Sequence, residues 1–260
     1  MSTLTLAVRD SSTMVRRQLK RLLRYPSMTV QLIVTPVILL LLFVYVFGGT
    51  LGNGLGGGAG GRDAYVDYVV PGILLMAAAT AATGTAVMVA TDMTEGIIAR
   101  FRTMRISRAS VLTGHVVGSV IQQLLGMAVL IGIALAIGFR PNATAVEWLA
   151  AAGLLTLFVV AITWLAVALG LKSPTPEAAS NAPMPLILLP FLGSGFVPTG
   201  SMPTVLRWFA EYQPFTPIME TVRGLLLGTP IGNSATIATA WCAGIAVVSY
   251  LWAKNTFNKA

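Results

Sequence analysis

The sequence predicts an all-α integral membrane protein with six transmembrane helices, and three observations carry that prediction. Hydrophobic residues make up 55% of the chain and charged residues only 10%. Mean hydropathy is +0.79, which no ordinary soluble domain needs. Several apolar runs reach the roughly 20 residues required to cross a hydrocarbon core of about 30 Å, and helices satisfy their own backbone groups there. The net charge of +8 raises nucleic acid as a partner. The basic residues, however, sit beside apolar spans without interleaved aromatic platforms, so no nucleic-acid surface is expected. Cys242 is the one cysteine and lies in an apolar run, which excludes an internal disulfide or a cysteine metal cluster and marks it as a packed core residue.

Residues 1–27 place Arg9, Arg16, Arg17, Lys20, Arg21 and Arg24 opposite Val15, Leu19, Leu22 and Leu23. This pattern predicts an amphipathic interfacial helix lying on the membrane, ended by Tyr25 and Pro26. A signal peptide is the rival reading, but the following run, 28–47, is too long for its apolar region and lacks an A-x-A-like cleavage site. That run is the first expected span. Residues 48–61 are glycine-dominated yet lack the Gly-Lys-Ser/Thr end of a phosphate-binding loop, so a flexible external loop is expected. The second span, 66–90, has Pro71 and Gly72 near its start and a small-residue face through Ala77, Ala81 and Thr85, which suits close helix packing in lipid.

A strongly charged island, 92–108, follows. Asp92 with Glu95 resembles a capping box and predicts a short helix starting there, with acidic groups near its positive end. Ile97, Ile98, Phe101 and Met104 form a narrow apolar stripe flanked by Arg100 and Arg102. Such a helix either lies on the membrane surface or docks as a knob into a soluble subunit.

The third span, 111–139, contains the pair Gly114 and Gly118, a weak packing signal. Its polar residues are His115, Gln122 and Gln123; a proton relay or ligand site is one use for them, satisfied structural groups the commoner one. A short turn over 140–146 leads to the fourth span, 147–171, and a polar connector, 172–178. The fifth span, 179–195, holds Pro183, Pro185 and Pro190, which must break its hydrogen-bond ladder. It is either a moving, solute-facing wall or a simple kink. Residues 196–230 are too polar to span. Pro203 is expected to open a helix TVLRWFAEY that Pro214 stops. Thr216 is expected to cap a second helix with Pro217 first, Glu220 and Arg223 paired at i,i+3, and Gly228 beyond its end. These are two short outer-face re-entrant helices. The last span is 235–252.

Lys and Arg set the orientation. With the N-terminus inside, 13 of them fall on the cytoplasmic side and 4 outside, at Arg62, Arg140, Arg207 and Arg223. Both termini and the charged island are therefore expected in the cytoplasm.

These residues together resemble the membrane (permease) subunits of ABC-2 type exporters, especially the daunorubicin-resistance-like family. The resemblance covers nearly the whole chain. It rests on Tyr68-Val69-Val70-Pro71-Gly72-Ile73, on Glu95-Gly96-Ile97-Ile98-Ala99-Arg100-Phe101-Arg102 with Ile106-Ser107-Arg108, on Gln213-Pro214-Phe215-Thr216-Pro217, and on Arg223-Gly224-Leu225-Leu226-Leu227-Gly228. One departure is Met104-Arg105, where the family often has Leu-Pro or a similar pair. The resemblance implies that residues 92–105 are a coupling helix touching a cytoplasmic ABC ATPase subunit through Asp92, Glu95, Gly96, Arg100, Phe101, Arg102 and Arg105. It implies that residues 7–25 are the interfacial connecting helix. The chain lacks a P-loop lysine motif, so it is not expected to be an enzyme by itself or to bind a cofactor. ATP and Mg would be bound by the partner. Two ATPase copies and a second permease copy, a homodimer by closed two-fold pairing, would complete the unit in the bacterial plasma membrane.

The spans offer few ionised groups. Met76, Thr80, Thr83, Met88, Met184 and Pro190 are the substrate-path candidates, and they suit lipophilic or amphipathic molecules. Drug efflux is the expected function, with export of a cell-envelope lipid or glycolipid as the alternative. An intramembrane enzyme would have only His115 and Cys242 to work with, and a proton-driven secondary transporter would need buried acidic relays that no span supplies.

Overall fold

The computed structural model describes residues 26–55, 61–95 and 108–259. The expected interfacial helix lies almost wholly outside these residues, as do 96–107 of the charged island. Among the described residues there are ten α-helices, one π turn, one 3-10 turn and no strand. Five helical stretches are long and apolar enough to cross a membrane: Ile33–Asn53, Arg62–Thr94, Val116–Ala136, Ala145–Lys172 and Ser234–Phe257.

The first crossing is α1 (Pro26–Leu42), a π turn (Phe43–Phe47) and α2 (Gly48–Asn53) in series. The expected loop over 48–61 is thus helical over its first six residues. Gly52 serves close approach rather than flexibility, because a Cβ there would collide with the carbonyl of Gly61. Arg62 also lies 4.0 Å from the centre of the Tyr45 ring, a cation–π contact that ties the two helix ends together.

The axis of the molecule is α3 (Arg62–Thr94), whose 33 residues rise about 50 Å. It is buried along most of its length, from Tyr65 and Val66 to Val89 and Ala90. The charged island was expected to start a new helix at Asp92, and here the structure corrects the sequence. α3 runs on through Thr94, Asp92 lies buried in its last turn, and Glu95 is its C-cap, donating its N–H to the Thr91 carbonyl at 2.9 Å. Residues 85–91 contain no Gly or Pro, so nothing interrupts a helix already running, and backbone groups already paired need no cap.

α4 (Arg108–Ala136) returns along α3, and the chain then turns at Phe139 to Pro141. The Arg140 N–H donates to Asp67 Oδ1 at 3.0 Å, which places this turn at the Arg62 end of α3. The N-terminal box that was expected at Asp92 is found instead at α5 (Ala145–Lys172). Glu147 N–H donates to Thr144 Oγ1 at 3.4 Å, and Thr144 N–H donates to Glu147 Oε2 at 2.7 Å. Replacing Thr144 with alanine is expected to remove about 1 kcal/mol and to lower the midpoint of thermal unfolding by about 2–4 °C in detergent. α5 runs parallel to α3, from the Arg62 end toward the Thr94 end. A Cβ on Gly170 would lie 2.5 Å from the Ala86 carbonyl oxygen, so the two backbones touch.

The expected fifth span, 179–195, is not a continuous helix. It consists of α6 (Pro176–Asn181), capped by Thr175 Oγ1, then α7 (Met184–Leu188) and a run of turns. Pro183 precedes α7, Pro185 sits in its first turn, and Pro190 follows it. Each proline removes a donor and crowds the preceding turn, so no long helix survives. The segment still travels along α3. It leaves α5 beside Ala86, passes Gly72 at Gly195, and reaches Tyr65, whose Oη donates to the Phe196 carbonyl at 3.2 Å. Ala86 to Tyr65 is about 31 Å of helix rise.

After a 3-10 turn (Thr199–Ser201) come α8 (Thr204–Tyr212) and α9 (Phe215–Leu227), with Gly228 left-handed at φ 71° as C-cap. α8 is largely exposed and carries an i,i+4 pair, Arg207 with Glu211, at 2.7 Å. α9 starts deep, with Phe215 edge-on to Phe158 in the middle of α5 at 5.2 Å. It ends at the turn before α5, where the Leu226 carbonyl accepts from the Asn142 N–H at 2.9 Å. Thr216 is not the cap of α9. Pro214 holds that position, and Thr216 Oγ1 accepts from Ser194 N–H and Gln213 Nε2, each at 3.3 Å. α10 (Ser234–Lys259) packs along α5, with Tyr250 edge-on to Trp164 at 5.0 Å, and Cys242 is buried.

Candidate functional site

The residues singled out for function separate into three places. At the Thr94 end, Asp92 is buried and Glu95 exposed; Gly96, Arg100, Phe101, Arg102 and Arg105 lie outside the described residues. Among the substrate-path candidates, Met76 and Pro190 are in the core, whereas Thr80, Thr83 and Met88 are half-buried and Met184 is exposed. Thr80, Thr83 and Met88 share with Ala77 and Gly84 the least covered side of α3. Thr80 Oγ1 donates to the Met76 carbonyl at 2.9 Å, and Thr83 Oγ1 has no hydrogen-bond partner among the described residues.

The third place is built around Arg223 of α9, which is 9% exposed. It was expected to pair with Glu220. Glu220 instead accepts from Ser234 Oγ at 3.1 Å, and Arg223 turns inward. Its Nη2 donates to the Ser194 carbonyl at 2.7 Å and to the Tyr68 carbonyl at 3.1 Å, with Nε 3.3 Å from the same Tyr68 oxygen. The guanidinium carbon also sits 3.8 Å from the centre of the Tyr68 ring. The reason is geometric. Pro71 weakens the α3 ladder in the turn that contains Tyr68, and the proline-rich segment leaves the Ser194 carbonyl outside any helix. A planar guanidinium reaches two such carbonyls at once while stacking on a ring. One side chain therefore ties α3, the broken segment and α9 together.

Beside this clamp lies a buried polar cluster at the deep end of α9. Gln213 Nε2 donates to the Leu189 carbonyl at 2.9 Å and to Thr216 Oγ1. Gly193 is needed here, because a Cβ would strike Gln213 and Thr216. Ser194, Tyr68 and Gln213 were missed as functional positions. Two of them stood inside quoted motifs, but Leu189 lies 24 residues from Gln213 and Arg223 lies 155 from Tyr68 in sequence. Among the described residues no three His, Cys, Asp or Glu side chains come together as metal ligands.

The comparisons with known proteins agree with this architecture. The family model described as ABC-2 type transporter matches residues 10–227. The chain is 26% identical over 225 residues to a daunorubicin resistance ABC transporter permease protein of Streptomyces coeruleorubidus, covering 86% of this chain and 77% of that one. It is 25% identical over 187 residues to a probable doxorubicin resistance ABC transporter permease protein of Mycobacterium tuberculosis, covering 72% of this chain and 68% of that one. The matched stretch takes in every element from α1 through α9, including the broken segment and the Arg223 clamp, and this multi-pass membrane protein belongs to the ABC-2 type transporter family.

Proposed function

We propose that this chain is the membrane half of an ATP-driven exporter that moves lipophilic or amphipathic molecules out of the cytoplasm or inner leaflet, with drug efflux as its role. The observation that carries the reading is the family match over residues 10–227, and the relatives named for daunorubicin and doxorubicin resistance support the cargo class. In this reading the chain crosses the membrane six times, the broken segment making the fifth passage along α3. Both termini and the Thr94 end face the cytoplasm, in line with the placement of 13 of the 17 Lys and Arg residues. The Arg62 end, with α8 and α9, faces outward.

The working unit is two copies of this chain and two cytoplasmic ATP-binding subunits, which hold ATP and Mg. Closure of the ATPase pair pushes on residues 92–105 at the end of α3. Because α3 is packed against α5 and tied through Arg223 to the broken segment and α9, these elements move together between inward and outward access. A ligand drives that switch only by binding the two states differently.

The test starts with purification in mild detergent from native membranes. An ATPase co-purifying in equal amount, with vanadate-sensitive activity, is the expected result. Replacement of Phe101 or Arg102 by alanine should then reduce export at least tenfold while ATP hydrolysis and the unfolding midpoint stay close to wild type. Unchanged export in both variants would remove the coupling role from this stretch. A deletion strain that gains drug sensitivity supports efflux, and one with altered envelope lipids and normal sensitivity assigns the cargo to the lipid alternative.

A further inference from the structure

α8 (Thr204–Tyr212) has three sides of different chemistry. Ala210 is buried and marks the side turned to the protein. Thr204, Arg207 and Glu211 follow at i,i+3 and i,i+4 on a second side, where the Arg207–Glu211 pair at 2.7 Å leaves no net charge. Val205, Trp208, Phe209 and Tyr212, at i, i+3, i+4 and i+7, make an apolar third side. That side is open: Val205 is 85% exposed, Trp208 65%, Phe209 40% and Tyr212 66%. The Trp208 and Tyr212 rings lean on each other with centroids 5.3 Å apart.

The chain on either side of α8 fixes its depth. Asp67 is the last charged residue before the apolar run of α3, so it marks the level where headgroups meet acyl chains at this end of the molecule. Before α8, the Phe196 carbonyl is bonded to Tyr65, two residues from Asp67. After it, Gln213 bonds to the Leu189 carbonyl and lies against Gly193, two residues from the Gly195 that touches Gly72. Gly72 is five residues past Asp67, about 7–8 Å of helix rise. Both ends of α8 are thus held within about 10 Å of that level, the depth at which an amphipathic helix rests in a bilayer surface.

Trp and Tyr suit this position, because each ring has an apolar body and a polar edge. With its one ion pair closed on itself, the helix has no net charge with which to recruit an oppositely charged protein surface. The stripe instead continues the apolar surface that the spans of this multi-pass protein present to the bilayer.

We propose that α8 is a membrane-surface helix, with Val205, Trp208, Phe209 and Tyr212 seated among the lipids of the leaflet at the Arg62 end and with Arg207 and Glu211 turned to water. α8 then lies along the surface, and α9 alone of the two short helices reaches inward. This goes beyond the exporter reading and does not depend on it.

The test uses the full chain in lipid nanodiscs, with Cys242→Ala removing the native thiol and single cysteines along α8 carrying nitroxide labels. Molecular oxygen concentrates among acyl chains and a nickel chelate stays in water, so the ratio of their collision rates with a label reads the medium around it. The ratio should be several-fold above that of a free label in solution for Val205→Cys, Trp208→Cys, Phe209→Cys and Tyr212→Cys. It should stay close to the free label for Thr204→Cys, Arg207→Cys and Glu211→Cys. Trp208→Ser combined with Tyr212→Ser should bring the label at position 205 down to the solution value. The unfolding midpoint of that variant in detergent should stay close to wild type, because neither ring is buried. Solution-like ratios along the whole helix overturn the proposal and put α8 in water. Low collision rates with both reagents on the stripe overturn it by showing protein over that side, a second copy of this chain included. A ratio at position 205 that ignores the loss of both rings overturns it as well, by taking the anchoring role from the aromatic pair.

Discussion

Replacing Arg223 with methionine should destabilise the protein by about 2–4 kcal/mol, measured by denaturant unfolding in detergent. Methionine approximates the length of the side chain but donates nothing. The Ser194 carbonyl, which lies outside any helix, would lose a charge-assisted donor, and the Tyr68 ring would lose a desolvated cation. Opposing these losses is the expense of burying a guanidinium, which the variant no longer bears. The lysine variant separates charge from shape. An ammonium keeps the charge but offers no planar fork, so it should recover less than half of the loss. Stability of Arg223→Met equal to wild type would mean that desolvation cancels the bonds, and the clamp would then serve geometry alone. Transport should fall in both variants if α3, the broken segment and α9 must move as one body.

Gly72→Ala should be nearly as damaging, although it adds a single methyl group. A Cβ at Gly72 would lie 2.6 Å from the Gly195 carbonyl oxygen and 2.8 Å from Gly195 Cα. Both are backbone atoms, so no rotamer change relieves the contact, and the broken segment must move off α3. Displacement there strains the Tyr65 bond to Phe196 and the Arg223 bond to Ser194. A loss of about 2–3 kcal/mol is expected, the upper range for overpacking. Gly84→Ala is the control on the same helix. Nothing lies within 4 Å of its added Cβ, so alanine should be neutral or stabilise by up to about 1 kcal/mol. Equal losses at both positions would show that α3 needs glycine for flexibility, not for close approach.

Much of the fold was legible because each membrane helix closes its own hydrogen bonds, so composition over about 20 residues decides it. The helix TVLRWFAEY between Pro203 and Pro214, and the glycine stop at Gly228, were likewise readable from local chemistry. Local signals failed where two explanations share one pattern. The spacing at Asp92 and Glu95 matches the spacing at Thr144 and Glu147, but only the second follows a non-helical turn, through Arg140-Pro141, so a helix begins at the second and not at Asp92. The glycines of 48–61 read as flexible, yet Gly52 is small because the backbone at Gly61 passes close to it.

The sequence by itself determined the class, the long apolar helices, the family and the charge asymmetry along the chain, since these depend on residue content and short-range order. Tertiary structure decided that 179–195 runs along α3 as two short helices and turns. It also decided that Arg223 abandons Glu220 for carbonyls of Tyr68 and Ser194, and that Gln123 of α4 donates to Thr163 of α5. Those outcomes depend on which unpaired backbone groups meet which side chains across as many as 155 positions. In a membrane interior every unpaired polar group is costly, so the packing that brings such partners together selects the arrangement.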